Sequence, residues 1–303
     1  MLNYILLLVG FILLIKGADI FVESASSVAR KFNISPIFIG CVICAIGTSS
    51  PEAAISITSS LRGMNDMSIA NVVGSNIFNL LVVLGISSMF NKLKISNFKD
   101  VITLLGTCIL LLLCALDGNL SLLNGIVLLI SFGYFIFNMI KNAKNDEDAV
   151  KEISNKSLLP TIILGLLGLG AIIYGGDMVV DTASTIALQL GMSENLVALT
   201  ICSIGSSLPE LVTSVMATKK GELDIAIGNV LGSNIFNILL ILGCASVINP
   251  MIVSTVALID VIFMVITVVL FILTTYKNKV VSKKIGIPMV ILYIMYIVMT
   301  IIR

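Results

Sequence analysis

The chain has 303 residues, of which 58% are hydrophobic and only 12% are charged, with a formal net charge of +1. Soluble domains carry roughly 25% charged residues, so a single soluble core is excluded, and the balanced charge argues against a nucleic-acid partner. Histidine is absent, which removes imidazole metal ligands and histidine proton relays from any candidate site.

The apolar runs predict ten membrane-spanning helices, since a span needs roughly 20 mostly apolar residues. In chain order they cover about residues 3–29, 34–61, 66–90, 99–116, 120–141, 157–190, 193–217, 222–248, 251–276 and 284–302. The first run has no basic leader or cleavage signal, so we expect it to be a span. The predicted fold is therefore an all-α integral membrane protein.

Basic residues between these spans predict their orientation. Alternate loops, beginning with the one that contains Arg30 and Lys31, carry most of the 18 basic residues, whereas the opposite side receives Arg62 and Arg303. The basic side of a membrane protein is normally cytoplasmic. We therefore expect a multi-pass plasma-membrane protein with both termini outside the cell and the charged linker 142–156 inside.

An internal repeat divides the chain into two halves. Residues 17–85 align with residues 175–243 at a constant offset and without gaps, and the hexapeptide at 74–79 recurs unchanged at 232–237. Each half has five predicted spans, an odd number, so the halves should enter the membrane from opposite sides. The sequence thus predicts two inverted five-helix repeats, 1–141 and 157–303. Folds of this kind bind substrates near the bilayer midplane.

The second and seventh predicted spans carry a proline followed by a glutamate near their middle, Pro51-Glu52 and Pro209-Glu210. Proline has no N–H and clashes with the carbonyl four residues earlier, so both helices should break near Gly47 and Gly205. A carbonyl freed in a membrane needs protein, water or an ion as its partner. Hydroxyls adjoin both breaks, at Thr48, Ser49, Ser206 and Ser207. This all-oxygen set suits hard cations such as Ca²⁺ and Na⁺.

The two glutamates are expected to hold cation charge between them. An ionised carboxylate in the bilayer centre costs several kcal/mol, and Lys16 is the only basic residue within a predicted span. Two lysine–glutamate pairs therefore cannot form. The competing interpretation is that each glutamate is protonated or pairs with a lysine.

Polar residues also form a stripe on the third and eighth spans. Asn71, Ser75 and Asn79 are spaced at four residues and share one helix face, and the second half repeats them as Asn229, Ser233 and Asn237. We expect ion coordination from four of these residues, Ser75, Asn79, Ser233 and Asn237. Their neighbours Asn76 and Asn234 are expected to hydrogen-bond between helices.

Two further groups of residues are interpreted less specifically. Acidic residues on the first and sixth spans could guide ions, or could lie near an aqueous surface or pair with Lys16; they are Asp19, Glu23, Asp177 and Asp181. Cys41 and Cys44 form a C-x-x-C pair, which we interpret as small apolar helix residues because no second pair completes a zinc site.

Two motifs occur twice in the chain. They are Gly47-Thr48-Ser49-x-Pro51-Glu52 with Gly74-Ser75-Asn76-Ile77-x-Asn79, and Gly205-Ser206-Ser207-x-Pro209-Glu210 with Gly232-Ser233-Asn234-Ile235-x-Asn237. With the ten-span layout, they resemble the alpha-repeats of the sodium/calcium exchanger family, prokaryotic type, within the cation/calcium antiporter superfamily. The resemblance covers nearly the whole chain. It implies Na⁺/Ca²⁺ antiport by alternating access, with the first and sixth helices as a sliding bundle.

The resemblance also implies a diamond of four cation sites between the second, third, seventh and eighth helices. Glu52 and Glu210 would be shared ligands, and Thr48 and Ser206 would complete the Ca²⁺ site. The flanking Na⁺ sites would use Ala45, Ser49, Ser75, Ser203, Ser207 and Ser233, with Asn79 and Asn237 at the centre. No organic cofactor is implied, and we expect a monomer whose partners are the bilayer and the two ions.

Departures from the family pattern bear on the coupling ion. Asn237 stands where many relatives, including potassium-dependent ones, have Asp, which argues against potassium co-transport. Ser50 replaces the usual apolar residue before Pro51, and Ser203 and Ser206 replace residues matched by Ala45 and Thr48 in the first half.

Other function classes remain open at this point. A Ca²⁺(cation)/H⁺ antiporter could use the two glutamates as proton carriers, although the proton-coupled relatives have a different helix-break motif with Asn and often His. A channel is less compatible with two inverted halves that converge on one site. An enzyme finds no support, because no nucleophile–base pair is visible.

Overall fold

The computed structural model describes residues 2–143, 157–192 and 203–302. Their regular structure is helical apart from four two-residue strands. The first half contains α1 (Leu2–Phe32), α2 (Pro36–Thr48), α3 (Ser50–Leu61), α4 (Asn65–Phe78, continued by Asn79–Val83 and Leu84–Phe90), α5 (Phe98–Ala115) and α6 (Leu122–Asn142). The second half contains α7 (Leu158–Gln189), α8 (Ser203–Gly205), α9 (Leu208–Lys219), α10 (Leu223–Phe236, continued by Asn237–Leu242 and Gly243–Ile248), α11 (Thr255–Thr275) and α12 (Lys283–Ile302).

Membrane-spanning length is reached by eight helices in the described part of the chain, or nine when α2 and α3 are counted as one bent span. The start of the seventh predicted span, 193–202, lies outside the described residues. In each candidate span, an apolar stretch of 18 residues can be compared for burial inside the protein. In α4 and α10, 78% of that stretch is buried, against 17–39% in the other single spans. These two helices therefore form the centre of the molecule, and the others present apolar side chains outward.

The second predicted span is broken before Pro51, as expected, but two residues after Gly47, where the sequence placed the break. α2 and α3 meet at Ser49, whose backbone angles (φ −83°, ψ 11°) are not helical, and the two helices are bent by 50°. In the second half, Ser207 (φ −93°, ψ 8°) separates α8 from α9 in the same way. Each break places a glutamate in the first turn of the helix that follows.

Glycines bring the long helices α1 and α7 close together. A Cβ built on Gly17 or on Gly168 would lie 2.8 Å from the carbonyl oxygen of the other residue. Further along α7, a Cβ on Gly175 would lie 2.9 Å from the carbonyl oxygen of Gly10. Small residues at such contacts let membrane helices pack backbone to backbone, so α1 and α7 form a tightly packed pair.

Short antiparallel strands join the two halves at two places. β1 (Leu93–Lys94) pairs with β4 (Val280–Val281), and β2 (Asn119–Leu120) pairs with β3 (Met251–Ile252). Each pair connects a loop of the first half to a loop of the second. The charge pattern independently assigns the β1 and β4 loops to one side of the membrane and the β2 and β3 loops to the other.

Candidate functional site

Two buried carboxylates lie where the halves meet. Glu52 and Glu210 are both 0% exposed to solvent. The Ser49 hydroxyl donates to Glu210 Oε1 at 2.8 Å, and the Ser207 hydroxyl donates to Glu52 Oε1 at 2.9 Å. Each glutamate is therefore held by the serine at the break of the opposite half, and the two contacts form a reciprocal pair.

Several buried polar atoms of these carboxylates and of the helix segments that contact their helices have no partner. Among the described residues, the second oxygen of each glutamate, Oε2, has no hydrogen-bond donor, and the same holds for the Asn237 side-chain oxygen and both amide atoms of Asn79. A buried polar group without a partner costs about 1–3 kcal/mol. Several such groups together indicate a place where another species supplies the missing interaction.

The third and eighth predicted spans add hydroxyls to the same cluster. Ser75 donates to Glu52 Oε1 at 3.4 Å. The equivalent Ser233 is buried and lies close to Glu210, and Ser206 lies close to Glu52. Among the described residues, neither hydroxyl forms a hydrogen bond of ordinary length and angle. The donor set consists of carboxylate, hydroxyl and amide oxygens, which is the chemistry that hard cations prefer. Within the described ranges, no three His, Cys, Asp or Glu residues form a metal cluster, so neutral oxygens must complete any coordination shell.

Thr48 and Ala45 lie at the end of α2, beside the break at Ser49, and already have hydrogen-bonding partners. The Thr48 hydroxyl donates to the Cys44 carbonyl at 3.1 Å and to Asn229 Oδ1 at 3.2 Å, which leaves its oxygen lone pairs for a cation. The Ala45 carbonyl accepts the Ser49 N–H at 3.0 Å. Ser203 begins α8, but its side chain lies outside the described part of the structure.

Ser50 has a role that the sequence did not reveal. Its hydroxyl donates to the Gly47 carbonyl at 2.9 Å and to the Ile46 carbonyl at 3.1 Å. Pro51 has no N–H to give the Gly47 carbonyl, so Ser50 supplies the missing bond. Leu208 occupies the equivalent position in the second half and has no hydroxyl. Of the three partners expected for the freed carbonyl, namely protein, water or an ion, the structure shows a protein group at Gly47.

The asparagines that begin the polar stripe position the glutamate-bearing helices. Asn71 Nδ2 donates to the Ser56 hydroxyl at 2.9 Å and to the Glu52 carbonyl at 3.3 Å. Asn229 repeats both bonds in the second half, to Ser214 at 3.0 Å and to the Glu210 carbonyl at 3.4 Å. Ser56 and Ser214 follow their glutamates by four residues at the same repeat offset, a signal in the sequence that we did not use.

Asn76 and Asn234 bond between helices, as predicted. Each side-chain amide donates to the main-chain carbonyl of the other at 3.1 Å. Asn79 and Asn237 each begin a π-helical segment within α4 and α10. Such segments are rare and occur frequently at functional sites.

The acidic residues of α1 pair with Lys220, which the sequence did not identify as their partner. Lys220, in the turn after α9, lies 2.9 Å from Asp19 and 3.3 Å from Glu23. Arg30 and Ser26 of α1 contact Glu222 from the same turn, each at 2.5 Å. These contacts attach the end of α1 to the α9–α10 connection. The remaining acidic pair, Asp177 and Asp181, lies on the exposed face of α7.

Both cysteines of the C-x-x-C pair, Cys41 and Cys44, are buried in α2 and unbridged. This placement agrees with their interpretation as small apolar residues.

Comparison with known proteins gives a consistent result. The chain matches the family model described as sodium/calcium exchanger protein over residues 2–141 and 160–302. It is 31% identical over 300 residues to the sodium/calcium exchanger MaX1 of Methanosarcina acetivorans, covering 84% of this chain and 86% of that protein. It is 35% identical over 259 residues to the inner membrane protein YrbG of Escherichia coli K12, covering 81% and 79% respectively.

A solved structure shares the fold. The sodium-calcium exchanger NCX_Mj, in crystals soaked with Na⁺ and Ca²⁺, superposes with a TM-score of 0.88 at 32% sequence identity. The superposition covers 98% of each chain. The likeness therefore extends over both halves.

Proposed function

The chain belongs to the sodium/calcium exchanger protein family, and on this premise we propose that it exchanges Na⁺ for Ca²⁺ by alternating access. Ions bind in this proposal at the midplane of the bilayer, between the two halves. The protein is then a secondary antiporter of the plasma membrane, not an enzyme, and it needs no organic cofactor.

The reciprocal hydrogen bonds from Ser49 to Glu210 and from Ser207 to Glu52 are the observation that carries this proposal. Each carboxylate is fixed through one oxygen by a serine of the opposite half, while its second oxygen has no donor among the described residues. Two ionised carboxylates balance the charge of one Ca²⁺ or of two Na⁺. Because they come from different halves, a cation between them would bind both halves at once, so its occupancy would respond to their relative movement.

We assign the coordinating oxygens to the breaks of both halves and to the stripes of α4 and α10. Glu52 and Glu210 are the shared ligands, Thr48 and Ser206 complete the Ca²⁺ site, and Asn79 and Asn237 lie at the centre. Ala45, Ser49, Ser75, Ser203, Ser207 and Ser233 line the flanking Na⁺ sites. The burial of these side chains, where they are described, supports the assignment.

The topology that we propose has ten spans in two inverted repeats, 1–141 and 157–303, with a cytoplasmic linker at 142–156 and both termini outside. The strand pairs support this arrangement, because each joins two loops that the positive charges place on one side of the membrane. The bracing contacts recur at equivalent positions of the two halves, which also supports the repeat.

Movement of α1 and α7 as one unit is the proposed means of switching access. Their glycine contacts join them closely, and α7 touches both breaks: a Cβ on Gly47 would lie 2.7 Å from Leu169, and one on Gly205 would overlap Val180. A sliding shift of this pair would therefore change the packing at both breaks. The exchange is proposed to operate in a monomer, without a protein partner and without potassium.

Radioactive calcium uptake into proteoliposomes tests the proposed coupling. Vesicles preloaded with Na⁺ should take up Ca²⁺, whereas vesicles loaded with K⁺ or carrying only a proton gradient should not. Uptake driven by protons instead would replace sodium coupling with Ca²⁺(cation)/H⁺ antiport. Uptake that needs no counter-gradient at all would indicate a channel and overturn the antiport proposal.

A further inference from the structure

Asn76 and Asn234 occupy equivalent positions but do not have the same partners. Both are buried, and each donates its Nδ2 to the carbonyl of the other at 3.1 Å. Asn76 makes one bond more, since its Oδ1 accepts the Nδ2 of Asn237 at 3.1 Å. The matching bond, from Asn79 to Asn234 Oδ1, is absent among the described residues. The repeat symmetry is therefore broken at this contact.

The direction of these bonds fixes which way the Asn237 amide points. The main-chain carbonyl of Asn234 can only accept, so Asn76 must turn its N–H₂ group toward it and its oxygen toward Asn237. Asn237 must then present its own N–H₂ group to Asn76. Its oxygen is left facing away, buried and without a donor among the described residues.

We propose that Asn76 is a positioning residue that holds Asn237 with its side-chain oxygen, and not its N–H₂ group, available to the transported cation. This inference rests on the function proposed above and assigns a role to a residue outside the ligand set. The π-helical segment that Asn237 begins contacts α3, which carries Glu52, and also α4. An amide turned the other way would direct its positive N–H₂ end at the ion.

Asn79 differs from Asn237 in this respect. Neither of its amide atoms has a partner among the described residues, so nothing selects its oxygen over its nitrogen before an ion arrives. The centre of the site thus has one preset ligand from the second half and one adjustable ligand from the first. A preset ligand lowers the ordering cost of binding, so Asn237 should contribute more to affinity than Asn79.

Matched leucine variants in the proteoliposome assay test this inference. Leucine has nearly the shape of asparagine but no bonding groups. Asn76→Leu and Asn234→Leu each remove one interhelical bond and leave one carbonyl with only its main-chain donor, but only Asn76→Leu also releases Asn237. We expect Asn76→Leu to raise the KM for Ca²⁺ about tenfold more than Asn234→Leu does, the upper range for one hydrogen bond.

An Asn237→Ala background separates positioning from a structural effect. With no amide left at position 237 to orient, Asn76→Leu and Asn234→Leu should have equal effects on KM. Equal effects already in the wild-type background, or a persistent excess for Asn76→Leu without Asn237, would overturn the inference. If the leucine variants do not fold, the smaller pair Asn76→Ala and Asn234→Ala provides the same comparison. Lack of sodium-driven uptake by the wild-type protein would instead reject the proposed function.

Discussion

Glu52 and Glu210 combine complete burial with an unpartnered oxygen each, so at the scale of single residues they dominate the electrostatics of the site. Glutamine has the same size as glutamate but no charge. Loss of one member of a buried charge pair costs about 3–5 kcal/mol, which corresponds to about 100-fold or more in affinity. We expect Glu52→Gln and Glu210→Gln to reduce calcium uptake to background while the protein elutes as a folded species in size-exclusion chromatography.

Glu222→Gln is the matched control for this change. Glu222 pairs with Arg30 in the turn after α9, outside the candidate site, so the same chemical substitution should leave uptake largely intact there. Wild-type uptake by either site variant would remove both glutamates from the ligand set.

Asn237→Asp should make transport depend on pH. The residue at 237 faces the Asn76 oxygen, which accepts a hydrogen bond, and an ionised aspartate has no proton to donate there. Protonation restores a donor and lowers the negative charge near the two glutamates. The ratio of variant to wild-type uptake should therefore approach one as the pH falls. Uptake measured from about pH 8.5 to about pH 5.5, with and without K⁺, checks this. A constant ratio would show that the residue at position 237 does not determine how transport depends on pH or on K⁺.

At the scale of the helix, the break of the second span depends on Ser50. Its hydroxyl replaces the N–H that Pro51 cannot give to the Gly47 carbonyl. Ser50→Ala should leave this carbonyl without that donor and lower the free energy of unfolding by about 1–3 kcal/mol, measured as a lower melting temperature in detergent.

Ser131→Ala provides the comparison for Ser50→Ala. Ser131 also donates to a carbonyl four residues earlier, that of Val127 at 2.8 Å, but no proline lies nearby and the helical N–H remains. Its removal should be nearly neutral. Equal destabilisation by the two variants would mean that Ser50 does not compensate for the proline.

The contact between α1 and α7 allows a test within a single helix. A Cβ on Gly168 would lie 2.8 Å from the Gly17 carbonyl oxygen, whereas one on Gly170 would meet nothing within 4 Å. Gly168→Ala should force the helices apart at a cost of about 1–3 kcal/mol and slow uptake. Gly170→Ala should leave both the melting temperature and uptake unchanged. Equal behaviour of the two variants would contradict the tight helix pair.

At the scale of the whole molecule, Lys220 connects α1 to the turn between α9 and α10. Burial acts to lower the pKa of Lys220, but hydrogen bonds and charge from Asp19 and Glu23 outweigh it and raise the pKa above 10.5. A raised lysine pKa stabilises the folded state below the ordinary value of 10.5 and loses that effect only as the pH rises through the raised value. The attachment should therefore be constant across neutral pH.

Salt should weaken this attachment, because all three side chains are partly exposed and such pairs contribute about 0–1 kcal/mol. Lys220→Gln should lower the melting temperature slightly at low ionic strength, and the difference should shrink in high salt. Arg62→Gln, at the equivalent position of the first half, is the control, since Arg62 has no ion pair within the described part of the chain. A salt-independent difference would argue against an electrostatic contact.

Several features of the fold and the site could be predicted because they are properties of short segments. The apolar runs marked the eight or nine spans that the described residues contain. Pro51 marked the break that the structure places at Ser49, and the repeated motifs identified both buried glutamates. The role of Ser50 could not be predicted, since an isolated serine in a membrane helix can bond a carbonyl, a neighbouring helix or an ion with equal chemical justification.

By itself, the sequence determined the membrane class, the repeat and the residue types of the candidate site, because hydropathy, proline chemistry and identical motifs act locally along the chain. Only the tertiary structure decided that Ser49 braces Glu210 and Ser207 braces Glu52, across 161 and 155 residues. It also decided that Asp19 pairs with Lys220, and that the side chain of Asn237 is hydrogen-bonded while that of Asn79 has no partner in the described part of the chain. These contacts depend on the rotation and depth of packed helices, which the periodicity of each helix does not encode.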